Sequence, residues 1–149
     1  GLQVTSVKQT TNSGFYTQAM FLTEDIIAKI RANRAAVMSG DTVIETNYGK
    51  QNGSDFPTAA TASCTTSAGC TEAEMATSDL FNWSQLIQNS LPVDAPLLKD
   101  DTFICLDSDR TDATECDGAG STFVIQIAWN ESSSLDASTT QEYQMVFEP

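Results

Sequence analysis

Apolar residues recur at helical spacing through the first 38 positions of the chain. At 100° per residue, Val4, Phe15, Ala19, Leu22, Ile26, Ile30 and Val37 collect on one side, with Val7 at the margin. The spacing predicts one long helix from Gly1 to about Met38 whose stripe buries against a sheet. A thinner row, Leu2, Tyr16, Met20 and Ile27, lies roughly opposite, and a helix apolar on two sides needs two partners. The chain's own loops can cover that row, or a neighbouring subunit can; the second expectation makes these four residues an interface. Gly14 costs about 1 kcal/mol relative to Ala inside a helix, so a bend or a close approach is expected there. The helix is expected to close at Ser39-Gly40, where glycine supplies a left-handed residue. It is already under way at the first residue, without a cap, which predicts an upstream segment.

From residue 41 to 70 the pattern disappears into Gly, Ser, Thr, Asn and Ala, and the segment reads as a long loop with a short strand at most from Thr42 to Thr46. Helical spacing returns with Leu80, Trp83, Ile87 and Leu91. Thr71 and Glu74 stand in the spacing of a capping box, and Leu91-Pro92 ends the helix, predicted over about 72–90. Alternation then takes over. Thr102 to Leu106 is a short strand; Thr122 to Asn130 sets Phe123, Ile125, Ile127 and Trp129 against Val124, Gln126, Ala128 and Asn130; Glu142 to Glu148 places Tyr143, Met145 and Phe147 on one face. Strands in this order predict an antiparallel meander of three or four strands with one buried face. The fold class is therefore α+β in one domain over 1–149: helix over 1–38, loop with a short helix over 39–100, sheet over 101–149. Its expected helix–sheet core is Phe15, Ala19, Leu22, Ile26, Ile30, Trp83, Ile125, Ile127 and Trp129.

Charge narrows the partners. Twenty acids against 7 bases, with no His, give a formal charge of −13, a field that repels phosphate backbones and anionic lipid heads. No direct contact of this part with nucleic acid is expected. The four cysteines fall into two short-range pairs, which points to an oxidising compartment and two disulfides. Five residues between Cys64 and Cys70 and ten between Cys105 and Cys116 fit no usual zinc spacing. Four cysteines allow three pairings. If neighbours pair, one bridge pins the end of the loop and the other staples the connection between the first two meander strands.

Candidate chemistry is sparse. Without His or a cysteine left over from pairing, the usual base for a Ser or Cys nucleophile is missing, and no enzyme is expected. The acid pairs Asp100-Asp101, Glu72/Glu74 and Asp107/Asp109 lie in loops or at a helix start, where solvated carboxylates are the plainer reading. Oxygen ligands are densest from Asp107 through Asp109, Asp112 and Glu115 to Asp117-Gly118, but Arg110-Thr111 interrupt the spacing of a calcium loop. No metal or cofactor is expected. Trp83 and Trp129 sit on apolar faces and read as core anchors.

The ordered set Gly1-Leu2-Gln3, Arg31-Ala32-Asn33-Arg34, Asp79-Leu80-Phe81-Asn82-Trp83 with Leu91-Pro92, Ile104-Cys105-Leu106-Asp107, Cys116-Asp117-Gly118, Ile125-Gln126-Ile127-Ala128-Trp129 and Phe147-Glu148-Pro149 resembles the type IV pilus modification proteins (PilV), a family of minor pilins. The resemblance implies a pilin fold with a longer N-terminal helix whose first half spans the inner membrane and later packs in the filament. It implies assembly with other minor pilins, and at times a tip adhesin, in a complex that primes the pilus. The head would stand in the periplasm before assembly and outside the cell after it. Two further readings carry their own marks: a pseudopilin of type II secretion, which shares the assembly logic, and an adhesin head using the loops Asn47 to Ala62 and Glu131 to Thr140, for which exposed Tyr48 and Phe56 would be the sign.

Overall fold

The computed structural model describes residues 2–111, 116–131 and 139–149, with the side chains of the first helix from residue 14 onward. That helix, α1 (Leu2–Ala32), is followed by a 3-10 turn (Arg34–Val37) and a two-stranded hairpin of β1 (Met38–Ser39) and β2 (Thr42–Val43). After the loop come α2 (Glu72–Ser90), α3 (Ala95–Asp100), β3 (Phe103–Leu106), β4 (Phe123–Glu131) and β5 (Thr139–Phe147). The last three strands form an antiparallel meander in chain order.

Helix α1 stops earlier than its apolar stripe implies, at Ala32. Asn33 leaves helical geometry, and its side-chain amide donates to the Tyr48 hydroxyl at 3.0 Å and to the Glu72 carbonyl at 2.9 Å. These tertiary bonds draw the chain out of the helix. Gly40 does take a left-handed φ of 62°, but it serves the β1–β2 turn, and Thr42–Val43 pairs within that hairpin instead of with the meander. The capping box of α2 forms in full: the Thr71 hydroxyl accepts from the Glu74 amide, and the Glu74 carboxylate accepts from the Thr71 amide. The Thr71 amide, more than any other group, lowers the carboxyl pKa of Glu74. Helix α3 lies inside the segment read as loop. Asp94 caps it by accepting from the Leu97 amide at 2.8 Å, and Pro96 stands in its first turn.

The core joins α1, α2 and one face of the meander. Ala19, Ile26, Ile30, Trp83, Ile87, Ile125, Ile127 and Trp129 are fully buried, Leu22 is nearly so, and Phe15 packs half-buried at the edge. Trp83 ties the helices together by donating from Nε1 to the Leu22 carbonyl at 2.8 Å. The expectation of a single buried sheet face fails. Val124, Gln126 and Ala128 on the other face of β4 are also buried. There Val124 packs in a second cluster with Phe103, Cys105, Cys116 and Val146, and α3 lies against the strand. Gln126 is accommodated by donating to the Asp101 carbonyl and accepting from Gln144.

Disulfides join Cys64 to Cys70 and Cys105 to Cys116. Rings this short remove unfolded-chain entropy worth about 2 to 3 kcal/mol each. Among the described residues, no helix is long and apolar enough to cross a membrane.

Candidate functional site

Three features compete for function: a groove, the acidic loop after β3, and the outward side of α1. The groove, of about 360 Å³, lies where the end of α1 meets the start of α2 and is lined in part by Lys29, Asn33, Glu72, Met75 and Asp79. Two of its polar groups, Asn33 and Asp79, are committed to one buried hydroxyl. Tyr48, fully buried in the loop, donates to Asp79 Oδ2 at 2.6 Å while accepting from Asn33, and burial, reinforced by the bond to Asp79, pushes the phenol pKa well up. A hydroxyl held protonated between a carboxylate and an amide is a seam between helices and loop, and it offers no base or nucleophile to a substrate.

The acidic loop is organised from within. Asp117 accepts from the Ser108 and Ala119 amides and from the Ser108 hydroxyl, and these bonds lower its carboxyl pKa. Asp109 accepts from the Thr111 amide and hydroxyl. Among the described residues no three carboxylate or Cys groups converge as metal ligands; Asp112 and Glu115 lie outside those residues.

The outward side of α1 is different in kind. Residues 9–23 carry no charge, and neither do residues 80–93 of α2 and its following turn. The helices run antiparallel, since Asn33 reaches Glu72 while Leu22 meets Trp83, so the two uncharged runs lie side by side. In a chain of net charge −13 this is a neutral flank on an acidic body. Exposed apolar side chains mark it: Phe21 is 56% accessible and Leu86 41%.

A neutral flank on a helix strapped to a disulfide-bearing sheet suits a subunit that packs against others. Comparison with known families decides the point: the model of the family described as "Tt1218-like: Type IV pilin Tt1218" matches residues 1–81, just over half of the chain. The chain belongs to the Tt1218-like type IV pilin family. No curated protein and no solved structure matches it. The pilin fold accounts for the element order, with the long helix first and the meander last, and makes the chain a structural subunit.

In this pilin the expected interface row divides. Tyr16 is about one-third exposed, stands edge-on to Trp129 with ring centroids 5.1 Å apart, and donates to Gln141 Oε1 at 3.3 Å. Met20 is half-buried, and the side chain of Leu2 lies outside the described residues, as do those of Val4 and Val7. Ile27 is buried in the core and is no interface residue; the sheet-facing stripe is wider than the seven positions that define it in sequence. Tyr48 and Phe56, looked for as exposed loop aromatics, are buried as well, and part of the other proposed adhesin loop, 132–138, lies outside the described residues. Phe21 belongs to neither apolar row and was missed. The signal that marks it is the charge-free run around it.

Proposed function

We propose that this pilin is a minor pilin of the PilV type. It assembles with other minor pilins into a complex that primes pilus assembly and remains at the pilus tip, supporting adhesion and motility. Its precursor is held in the inner membrane with this head in the periplasm, and the assembled subunit is extracellular. The observation that carries this reading is the pair of uncharged runs, 9–23 on α1 and 80–93 from α2 onward, on an otherwise acidic head, with Phe21 and Leu86 exposed. Two disulfides fit the oxidising route that such a subunit follows. The adhesin alternative loses its supporting aromatics, since Tyr48 and Phe56 serve the core.

The test is capture of other minor pilin heads by this chain under non-reducing conditions. Capture of at least one is expected, with loss of binding in Met20→Glu while circular dichroism stays native. Exclusive capture of secretion pseudopilins would assign the subunit to type II secretion. Capture of neither class by the folded head would remove the minor pilin reading.

A further inference from the structure

Of the seven asparagines in the chain, only Asn52 is followed by glycine. The pair forms the middle of a turn from Gln51 to Ser54, closed by the Ser54 amide donating to the Gln51 carbonyl at 3.1 Å. Gly53 is exposed and takes a φ of 78°, the left-handed value required at the third residue of a type II turn. Among the described residues the Asn52 carboxamide has no hydrogen-bond partner. The turn is held by its backbone instead. The Gly53 amide donates to the Lys99 carbonyl at the end of α3, at 3.0 Å. That same carbonyl accepts from the buried Lys50 ammonium, and the Asp94 cap fixes the other end of α3. Glycine has no Cβ to keep its nitrogen away from the preceding side chain, so this is the asparagine most open to attack by its own backbone. The bond to Lys99 occupies the attacking group.

We propose that Asn52 is a self-modification site, deamidating through attack by the Gly53 nitrogen, and that the bond from Gly53 to Lys99 is a latch that sets the rate. When the turn lifts from α3, the Gly53 nitrogen loses its proton to solvent and bonds to Asn52 Cγ. The bond from Cγ to the side-chain nitrogen breaks, and that nitrogen takes up a proton and leaves as ammonia. Water then opens the cyclic imide at one of its two carbonyls, giving aspartate or isoaspartate. Isoaspartate carries one more carbon in the main chain, which displaces Gly53 from the Lys99 carbonyl. Either product adds a negative charge at a corner where Asp100 Oδ1 lies 4.0 Å from the place a Gly53 Cβ would take and Asp55 follows in the loop. The reaction therefore runs one way and leaves the latch weaker than before. It calls on no other subunit, so it stands or falls apart from the assembly role proposed above.

The test follows Asn52 by peptide mass spectrometry, with isoaspartate read by enzymatic methylation, while the folded chain ages in mildly alkaline buffer. The chain in guanidinium, with its disulfides intact, is the unlatched reference. Asn52 is expected to convert ahead of every other asparagine, about tenfold or more slowly in the folded chain than in the reference. Hydrogen exchange at the Gly53 amide should be slowed by a similar factor, since both reactions wait for the same opening. Asp94→Ala, which removes the cap of α3, should speed conversion about threefold or more; if that variant does not fold, the match between the two slowing factors in the native chain decides. No conversion at Asn52 in the folded chain once the reference has converted fully would overturn the site. Conversion as fast in the folded chain as in the reference would overturn the latch. Faster exchange at Gly53 in Asp94→Ala without faster conversion would overturn the coupling between them. In Asn52→Asp, exchange at Gly53 should quicken; unchanged exchange would overturn the weakening of the latch by charge.

Discussion

The loop between the hairpin and α2 has two halves that look alike in sequence and are held by different means. Residues 45–56 are fastened by buried side chains and backbone. Tyr48 is fully buried, Lys50 exchanges both backbone bonds with Ile104 on the outer edge of β3, Glu45 accepts from the Leu106 amide at 2.6 Å, and Phe56 stands edge-on to Trp83. Residues 57–70 contribute no residue to the core; the Thr61 amide donates to the Ser78 hydroxyl and the Ser63 hydroxyl to Glu74, and the Cys64–Cys70 disulfide closes the far end. The lesson is that a polar, pattern-free segment can still be part of the core when a few of its side chains are large enough to reach it.

The comparison breaks most visibly at Phe56. Phe56→Ala should cost about 3 to 5 kcal/mol of stability in urea unfolding, because it empties a site between Trp83 and Lys50. A loss under 1 kcal/mol would place the first half outside the core.

Next is Lys50, which is 2% exposed, lies 4.9 Å from the Phe56 ring centroid and donates to the Leu98 and Lys99 carbonyls at the end of α3. Burial pulls its pKa down to about 8, against the raising influence of Asp100, Asp55 and Asp101. Between about pH 8 and the ordinary lysine value the unfolded chain holds a proton that the folded chain has released. Stability should therefore rise with pH across that window, by at most about 3 kcal/mol, and Lys50→Met should flatten the rise. Denaturant midpoints from pH 7.5 to 10 check the sign.

The second half should answer to thiol chemistry instead. Cys64→Ser with Cys70→Ser is expected to cost about 2 kcal/mol. Amide exchange should quicken in residues 57–70 and stay unchanged in 45–56. Uniform quickening in both halves would dissolve the distinction. The smallest effect is expected at Tyr48→Phe, about 1 to 2 kcal/mol, since the ring stays buried and only the bonds to Asp79 and Asn33 go.

What could be read from sequence was what the chain decides locally. The capping box at Thr71 and Glu74 and the strand marked by alternation from Phe123 to Trp129 depend on neighbours in sequence, and both elements formed where they were expected, although β4 is buried on both faces. The end of α1 depends on Asn33 finding Tyr48 and Glu72, 15 and 39 residues away, which no local pattern records. Helix α3 escaped because six residues hold too little periodicity, though its Asp94 cap and Pro96 were visible signs. For the candidate surface, apolar spacing alone assigned Ile27 to the outside. Charge depletion over 9–23, a coarser signal, would have pointed to Phe21.

The bond from Tyr16 to Gln141 spans 125 positions, and the Arg31 guanidinium lies over the ring of Phe147 near the last residue. The first helix and the last strand thus complete one another. During synthesis or export, the apolar stripe of α1 has no sheet to cover it until β3, β4 and β5 have emerged, and closure over such a distance is slow. The contact between α1 and α2 through Trp83 and Leu22 joins positions 61 apart and needs only the first 83 or so residues. Pairing of β5 then closes the core over Phe147, and Phe147→Ala should slow refolding in stopped-flow kinetics.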